Sequence, residues 1–379
     1  MSRARLTIGI VTINDNGNYG NRLQNYALQE VLRGLGWEAE TIRNAPQPWP
    51  RTLLIPRMLH EVRDDPRALM RRGAERLGTG QSSSPTGTAP FLLQRREAIA
   101  RFTDTFIRTS DESFVDMPAE YWSERYRKVV TGSDQVWNPT YRRAQGFDFL
   151  DFAAPENRLA YAASFGVTAV PRFLRTRYAD WLAQIPHLSV REQAAAAIVR
   201  GLTGRDVPVV ADPTMLVDRS VWDGLIDGEP RTDTPYTARF MLGEPSSVQQ
   251  AWLAQAAREI ADDVVDLNDL TRREHSDIGP AGFVATIARA SAVVTDSFHA
   301  SVFALLYHRP LILRSRFRHD SRISSLLSAH GIIAETAADG IVVLGDVDWD
   351  AADAARDRHR ADSSRFLRAA LGTGTQAHP

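Results

Sequence analysis

Short apolar runs alternate with segments of helical periodicity along most of the chain. The first apolar run, Leu6 to Ile13, predicts a buried β-strand. A turn-rich loop follows. Residues Asn21 to Leu35 then place apolar side chains on one helical face, and Gly36 is positioned to end this helix in a left-handed conformation. Glu38 to Arg43 predicts a second strand. The chain therefore opens with a βαβ unit, which is typical of an α/β domain.

The same alternation returns twice further along the chain. The later predicted strands cover residues 128–131, 158–164, 187–192, 207–211, 236–242, 263–267, 290–295 and 310–313. Residues 218–235 are rich in Asp, Gly, Pro and Thr and predict a linker. This pattern predicts an N-terminal α/β domain over 1–220, a C-terminal α/β domain over 235–345 and a helical tail over 346–379 that crosses back to the first domain.

Residues 45–125 interrupt the alternation and predict a helical insertion. Phe91 to Ile107 has the pattern of a helix, and the Gly-, Ser- and Pro-rich stretch 78–90 predicts a mobile loop. Two interpretations stay open at this point. The insertion either decorates the sheet or forms a lid over an acceptor-binding site.

The stretch 290–307 combines a buried strand, a polar turn and an apolar helix. Asp296 or Ser297 can cap the helix, and His299 lies in its first turn. A helix that starts after a strand offers free N–H donors and the positive end of its dipole to an anion. His299 is therefore either a structural side chain of a capped helix or an acid–base group that acts on an anionic substrate.

Other polar residues follow predicted strands, where open α/β sheets place ligands. Ser133 and Asp134 follow the predicted strand 128–131, Arg191 lies at the carboxyl end of strand 187–192, and Asp212 follows strand 207–211. Arg191 is either a structural partner of an acidic neighbour or a fork for a carboxylate or phosphate. Asp212 begins an Asp-Pro pair that is also an ordinary turn starter.

Further residues have two readings each. Trp137 is either a core residue or a platform for a sugar face. Asn18, Gly20 and Asn21 lie in a loop that is either a structural turn or a ligand loop, since it matches neither the dinucleotide fingerprint nor the P-loop. Arg314, Arg316 and Arg318 alternate along an extended segment and form either a solvated face or a cationic wall.

Composition narrows the function classes. With 379 residues the chain is long enough for two domains, and a net charge of −1 gives no reason to expect nucleic acid as a partner. The absence of cysteine excludes disulfides and thiolate catalysis and is compatible with the cytoplasm. No apolar run approaches the length of a transmembrane helix, and the first run fits a strand better than a signal peptide. The histidines lack metal-ligand spacing, so we expect no metal and no cofactor.

Taken together, the motifs resemble those of the polysaccharide pyruvyl transferase family. The motifs that carry this resemblance, in the family's order, are Asn18-Tyr-Gly-Asn-Arg-Leu-Gln-Asn-Tyr-Ala-Leu, Gly132-Ser-Asp-Gln-Val-Trp-Asn-Pro, Ala162-Ala-Ser-Phe-Gly, Ser189-Val-Arg-Glu, Asp212-Pro-Thr and Thr295-Asp-Ser-Phe-His. The resemblance implies two Rossmann-like domains in a GT-B-like arrangement, with the acceptor on the N-terminal side and the active site in the interdomain cleft. It also implies phosphoenolpyruvate as donor and a sugar hydroxyl pair as acceptor. A lipid-linked acceptor would add peripheral membrane contact.

The resemblance also implies roles for particular residues. It makes His299 the acid that protonates the donor, Arg191 a donor-binding residue, and Asp134 or Asp212 the base, between which spacing does not choose. The implied substrate-binding residues are Asn18, Gly20, Asn21, Ser133, Trp137, Arg191, Ser297, Arg314, Arg316 and Arg322. The sequence departs from the better characterised pattern in two places, because Ser297 stands where an arginine is expected and Ala300 where glycine is common.

Two other functions compete with this reading. One is a GT-B glycosyltransferase that uses a nucleotide sugar, although no two glutamates in the C-terminal half lie at the spacing of the retaining pattern. The other is a non-catalytic binding protein of the same fold. The acceptor sugar, the stereochemistry of the ketal and the oligomeric state do not follow from the sequence.

Overall fold

Two β-sheets lined by helices make up the protein in the computed structural model. The structure describes residues 7–15, 17–45, 47–64, 91–261, 263–272, 275, 277–314, 321–334, 340–344 and 346–372. The two-domain α/β fold class, with two Rossmann-like units, is confirmed by these sheets. In the described residues, no helix combines the length and the apolar composition needed to cross a membrane.

The first sheet has six parallel strands in the order β3-β2-β1-β4-β5-β6. Its strands are β1 Thr7–Val11, β2 Glu38–Arg43, β3 Thr109–Ser113, β4 Lys128–Thr131, β5 Arg158–Ala163 and β6 His187–Val190. Both β1 and β5 are buried along their whole length, as their continuous apolar runs predict for strands covered on two faces.

The second sheet has five strands in the order β11-β10-β9-β7-β8. Its strands are β7 Tyr236–Phe240, β8 Asp263–Asp266, β9 Ala292–Thr295, β10 Leu311–Arg314 and β11 Ile341–Leu344. All neighbours are parallel except the edge pair, in which β11 runs antiparallel to β10. This sheet therefore has one antiparallel edge on an otherwise parallel core.

Helices connect the strands and cover the sheets. In chain order the α-helices of the described residues are α1 Tyr19–Gly34, α2 Leu54–Asp64, α3 Leu92–Phe106, α4 Ala119–Arg125, α5 Arg175–Ala183, α6 Gln193–Thr203, α7 Pro213–Leu216, α8 Arg219–Ile226, α9 Ser247–Ile260, α10 Pro280–Arg289, α11 Phe298–Leu306, α12 Ser321–Ala329 and α13 Trp349–Leu371. Helix α13 contacts the segment that follows the first sheet, since the Ser363 hydroxyl accepts the Ala211 N–H at 2.8 Å.

Three segments differ from the sequence predictions. The insertion is not only helical, because β3 lies within it and pairs with β2 at the sheet edge. The predicted linker contains helix α8, whose Trp222 is fully buried. The predicted strand 207–211 is reduced to a single bridge between Val190 and Val209. The loop predicted over residues 78–90 lies outside the described residues.

A continuous apolar core joins the two sheets. Tyr19 of α1 stacks on Phe283 of α10 with ring centroids 4.6 Å apart, and its hydroxyl donates to the Ile278 carbonyl at 3.0 Å. Trp222 of α8 meets Phe303 of α11 edge-on at 4.9 Å. These contacts hold the start of α1, which follows β1, against the elements of the second sheet. Polar groups that follow strands of both sheets consequently meet at this junction.

Candidate active site

The turn between β9 and α11 is built by side-chain hydrogen bonds. The Thr295 hydroxyl donates to the Phe240 carbonyl at 2.5 Å and accepts the Ser297 N–H at 3.0 Å. Ser297 is the N-cap of α11, because its hydroxyl accepts the Ala300 N–H at 3.5 Å. This turn fixes His299 in the first helical turn, where only 7% of the residue is exposed.

The His299 ring packs against the first turn of α1. A β-carbon placed on Gly20 would lie 2.7 Å from His299 Cγ and closer still to Nδ1, a separation that real β-carbons do not show. Gly20 therefore makes room for the imidazole, which is a use of glycine for close approach. The predicted loop residue Gly20 and the predicted acid His299 are thus neighbours across the two sheets.

Asp212 lies on the other side of the His299 ring. Its Oδ2 accepts from the Ser133 hydroxyl at 2.6 Å and from Arg191 Nη1 at 3.0 Å, and it is 3.8 Å from His299 Nε2. Its Oδ1 caps α7 by accepting the Thr214 N–H at 3.0 Å. Burial works to raise the pKa of Asp212, but His299 and Arg191 outweigh it and hold that pKa below its ordinary value. Asp212 is therefore an ionised anchor for its neighbours.

Arg191 is a buried cation among carboxylates. Its Nη2 is 3.6 Å from Asp134 Oδ1, its Nε is 3.7 Å from Glu192 Oε2, and its Cζ lies 4.2 Å from the centroid of the Phe298 ring. Burial opposes the charge, but the carboxylates, Asp212 first among them, raise the pKa of Arg191. Within the described part of the chain, Nε and Nη2 make no hydrogen bond. This edge of the guanidinium can accept an oxyanion in the fork geometry that carboxylates and phosphates prefer.

Asp134 differs from Asp212 in both backbone and exposure. Its φ is 75°, a left-handed conformation that is uncommon for a residue other than glycine. Its side chain is 12% exposed, whereas that of Asp212 is completely buried. Backbone strain of this kind persists where the surrounding structure imposes it, often at functional sites. Asp134 is the more accessible of the two carboxylates that the sequence proposed as base.

Arg22 is a site residue that the sequence analysis missed. It is 2% exposed, and its Nη2 donates to the Ile13 carbonyl. Burial lowers the pKa of Arg22 to about 10, while the charges of Asp15 and Asp134 act to raise it. The charge of Asp134 therefore acts on two buried arginines, Arg22 and Arg191. Position 22 reads as an ordinary basic residue of an amphipathic helix, and only its place within the matched Asn18 motif could have drawn attention to it.

Asn18 and Asn21 make local hydrogen bonds at the start of α1. Asn18 Oδ1 accepts the Gly20 N–H at 2.8 Å and so caps the helix. Asn21 Nδ2 donates to Asp15 Oδ2 at 3.2 Å. These contacts give both asparagines a structural task in the loop. Their proposed contact with substrate stays a prediction.

The structure corrects two of the predicted substrate contacts. Trp137 is fully buried and stacks on Phe149 at 5.3 Å, with its indole N–H donating to the Asp148 carbonyl at 3.0 Å, so it is a core residue without a face for a sugar. Arg314 is buried and donates to Asp296 Oδ2 at 2.7 Å, so it ties β10 to β9 instead of replacing the missing arginine of position 297.

Two other predicted arginines are not assigned to the site. Arg322 is buried in the first turn of α12. Arg316 lies outside the described residues, so its role stays a prediction. The described residues contain no group of three or more His, Cys, Asp or Glu side chains arranged to hold a metal ion.

A cavity of about 680 Å³ reaches the buried cluster. Its lining includes Arg191, Asp212 and Phe298, together with Arg358 and His359 of α13. The cavity therefore borders the buried cluster at Arg191 and Asp212. An arginine, a carboxylate and an aromatic ring in one lining suit a small anionic ligand that also undergoes proton transfer.

The chain was compared with protein families, curated proteins and solved structures. A family model described as polysaccharide pyruvyl transferase matches residues 18–316. Among curated proteins no match was found.

Three solved structures are among those similar to this chain. UDP-GlcNAc 2-epimerase from Neisseria meningitidis bound to UDP-GlcNAc has 9% identity and a TM-score of 0.40, covering 97% of this chain and 96% of that one. The glycosyltransferase SnogD from Streptomyces nogalater has 14% identity and a TM-score of 0.38, covering 98% and 100%. The glycotransferase of kitacinnamycin has 11% identity and a TM-score of 0.34, covering 97% and 96%. At these TM-scores they carry no argument about this chain.

Proposed function

The chain belongs to the polysaccharide pyruvyl transferase family, and on this premise we propose that it transfers a pyruvyl group from phosphoenolpyruvate to a pair of sugar hydroxyls. The products are a pyruvate ketal and inorganic phosphate. The observation that carries the proposal is the buried cluster of His299, Asp212 and Arg191, in which His299 Nε2 and one edge of Arg191 make no hydrogen bond within the described residues. Buried polar atoms are usually hydrogen-bonded to protein, water or a ligand, so these atoms are candidates for contact with a substrate.

Donor binding is proposed for the two buried arginines. Phosphoenolpyruvate carries a carboxylate and a phosphate, and the Nε–Nη2 edge of Arg191, which makes no hydrogen bond within the described residues, matches either group as a bidentate fork. Arg22 is proposed as the second cation, in place of the arginine that is absent at position 297. Support for this assignment comes from its burial beside Asp134, the carboxylate that also faces Arg191.

Proton transfer to the donor is proposed for His299. The imidazolium gives its proton from Nε2 to the methylene carbon of phosphoenolpyruvate, which becomes a methyl group as the adjacent carbon becomes an oxocarbenium-like centre. Asp212 stays ionised at 3.8 Å from Nε2 and stabilises the imidazolium before the transfer. Gly20 fixes the other side of the ring. General acid catalysis of this kind typically contributes about 10²–10⁴-fold to the rate.

Attack by the sugar completes the proposed reaction. One hydroxyl adds to the cationic carbon, the bond from that carbon to the phosphate oxygen breaks, and the second hydroxyl closes the ketal. Two O–H bonds are lost in all. One of these protons replaces the proton that was given to the methylene carbon, and the other leaves with the phosphate.

Asp134 is proposed as the base that accepts the hydroxyl proton. Asp212 is already saturated by hydrogen bonds from Ser133, Arg191 and Thr214, and its lowered pKa makes it a weak base. Asp134 retains partial exposure, and its carboxylate lies next to the donor-binding edge of Arg191. The role of Asp212 is then to position His299 and Arg191.

Peripheral membrane contact is proposed for acceptors that are linked to a lipid. Four apolar side chains of α2, namely Ile55, Met58, Leu59 and Val62, follow helical spacing, and all are exposed, with Ile55 at 68% and Leu59 at 62%. An exposed apolar stripe on a short helix is typical of interfacial binding. Co-sedimentation with anionic phospholipid vesicles, compared between wild type and Ile55→Ser/Leu59→Ser, tests this contact. The reaction is proposed to take place in the cytoplasm.

Phosphate release tests the proposed function. The protein is incubated with phosphoenolpyruvate and a panel of sugars that have neighbouring hydroxyl pairs, with EDTA in a parallel series because we propose no metal requirement. Acceptor-dependent release of phosphate supports the proposal. Release of a nucleoside diphosphate from a nucleotide sugar, without consumption of phosphoenolpyruvate, would instead identify a glycosyltransferase.

A further inference from the structure

A second cavity, of about 910 Å³, lies at the carboxyl edge of the first sheet. Three segments form it, which follow β2, β4 and β5 and contribute residues 48–60, 139–143 and 171–174 respectively, the first of them including the start of α2. In open α/β sheets this edge is where ligands bind. The cavity is separate from the one at Arg191, since the residues that line the two do not overlap.

The walls of this cavity are aromatic and basic. Trp49 and Phe173 lie with ring centroids 6.4 Å apart, and Arg57 Cζ is 4.9 Å from the Trp49 ring. Arg51 and Arg143 add two further cations. The described lining residues include arginines and no aspartate or glutamate, so this described part of the wall carries a net positive charge. Aromatic faces bind the apolar faces of sugar rings, and arginines bind carboxylates and phosphates.

The loop after β4 links this cavity to the catalytic cluster. It begins near Asp134, the proposed base, and reaches the cavity at Pro139, Thr140 and Arg143. Arg143 has a φ of 56° and donates through Nη1 to the Gln47 carbonyl at 3.1 Å. The neighbouring Arg142 is locked to Asp148 through Nε at 3.0 Å. A left-handed residue held by a fixed neighbour indicates that the loop imposes the position of Arg143.

We infer that the cavity bounded by Trp49, Phe173 and Arg143 is the acceptor subsite, and that the acceptor sugar carries an anionic group. This inference rests on the proposed function, in which Asp134 receives a proton from the acceptor. The aromatic pair holds the sugar ring, and the arginines bind its carboxylate or phosphate. A neutral sugar would make no charge-assisted hydrogen bond with Arg51 or Arg143 and would bind more weakly.

Calorimetric titration without phosphoenolpyruvate tests the inference. The probes are glucose, glucuronic acid, glucose 1-phosphate and inorganic phosphate, so that the contributions of ring, carboxylate and phosphate are separated. We expect the two anionic sugars to bind about tenfold or more tightly than either glucose or phosphate alone. Equal affinity for glucose and the anionic sugars, or for phosphate and glucose 1-phosphate, would overturn the inference.

Variants locate the binding. Trp49→Ala should weaken both anionic sugars about tenfold, and Arg51→Gln should weaken them by a similar factor without changing the affinity for glucose. Arg175→Gln, which removes an exposed arginine of α5 outside the cavity, is the matched control and should change nothing. Both Trp49 and Arg51 are at least partly exposed. The melting temperatures of the Trp49→Ala and Arg51→Gln proteins serve as a folding check. Unchanged binding in a folded Arg51→Gln protein would overturn the inference.

One further variant separates this inference from the proposed function. His299→Ala should bind the anionic sugars as wild type does, because His299 lies in the cluster with Asp212 and Arg191 and does not line this cavity. Turnover with neutral sugars alone would contradict the acceptor subsite while leaving the pyruvyl transfer intact. Normal binding of the anionic sugars without any phosphate release from phosphoenolpyruvate would support the sugar-binding cavity and contradict the proposed pyruvyl transfer.

Discussion

Gly20 of α1 and His299 of α11 lie in direct contact, although α1 follows a strand of the first sheet and α11 a strand of the second. A β-carbon on Gly20 would overlap the imidazole, with Cγ at 2.7 Å. The position of the proposed acid therefore depends on a missing side chain in the first turn of α1. Asp212, 3.8 Å from Nε2, bounds the ring on its other side.

Gly20→Ala should displace the His299 ring without unfolding the protein. We expect the rate of phosphate release to fall about 10²-fold, because a misplacement of about 1 Å at a reacting group has this order of effect. The matched control is Gly34→Ala, at the far end of the same helix, where a β-carbon meets nothing within 4 Å. Steady-state kinetics and melting temperatures of both variants check the prediction. Equal rates for the two variants would contradict it.

Asp134→Asn and Asp212→Asn should fail in different ways. Asparagine tolerates the left-handed backbone of position 134, so Asp134→Asn should keep its melting temperature and lose about 10²–10⁴-fold in turnover. Asp212→Asn leaves Arg191 without its closest buried partner, which typically costs about 3–5 kcal/mol of unfolding free energy. Denaturant unfolding alongside kinetics distinguishes them. A stable Asp212→Asn and an active Asp134→Asn would reverse the assigned roles.

Arg191→Lys should weaken binding of phosphoenolpyruvate. Lysine keeps the charge but lacks the fork, so a loss of about 1.5–3 kcal/mol is expected from the charge-assisted hydrogen bonds. Arg22→Lys should show a similar loss if it is the second donor cation. The control is Arg314→Lys, which breaks a buried pair with Asp296 and should lower the melting temperature with little change in donor affinity. Donor affinity that changes only in the Arg314 variant would refute both assignments.

His330 should make the stability of the protein depend on pH. Burial lowers the pKa of His330 to about 4, and its Nδ1 lies 2.9 Å from the Leu326 carbonyl. In the unfolded chain an ordinary histidine has a pKa of about 6.5, so above that pH the side chain is neutral in both states and its contribution is complete. As the pH falls towards 4, the unfolded chain takes up a proton that the folded chain does not, and stability falls by about 3 kcal/mol.

The comparison of wild type with His330→Gln isolates this effect. Measured by denaturant titration, wild type should lose about 3 kcal/mol of unfolding free energy relative to His330→Gln between pH 7 and pH 4. Parallel curves across that range would show that His330 is not the group responsible.

The sequence predicted the regular elements well because their patterns are strong. Strands β2 and β4 begin and end at the predicted residues, and Ser297 is one of the two caps expected for α11. Strand β3 was missed because its sequence, Thr-Ser-Asp-Glu-Ser, has no apolar alternation and forms only by pairing with β2. Helix α8 was missed because Gly, Asp and Pro around it read as a linker.

The site was harder to predict than the fold, since it depends on contacts between distant segments. Asp134 and Asp212 could not be told apart from spacing, because their difference lies in backbone conformation and hydrogen bonding. The predicted sugar contact of Trp137 was wrong because its side chain is fully buried. The sequence pattern around Trp137 does not reveal this burial. Arg22 gave no signal of its own, because its proposed role depends on the charge of Asp134, more than a hundred residues away in the sequence.

Pyruvyl transfer measured in D₂O tests whether His299 protonates the donor. Wild type and His299→Ala are incubated with phosphoenolpyruvate and an acceptor sugar, and phosphate release is followed together with the NMR spectrum of the product. We expect wild type to form a ketal whose methyl group carries one deuterium, and His299→Ala to form it at least about 10²-fold more slowly. The variant His187→Gln, which changes an exposed histidine outside the site, should match wild type. Full activity of His299→Ala, or a product that forms without phosphoenolpyruvate, would contradict this expectation.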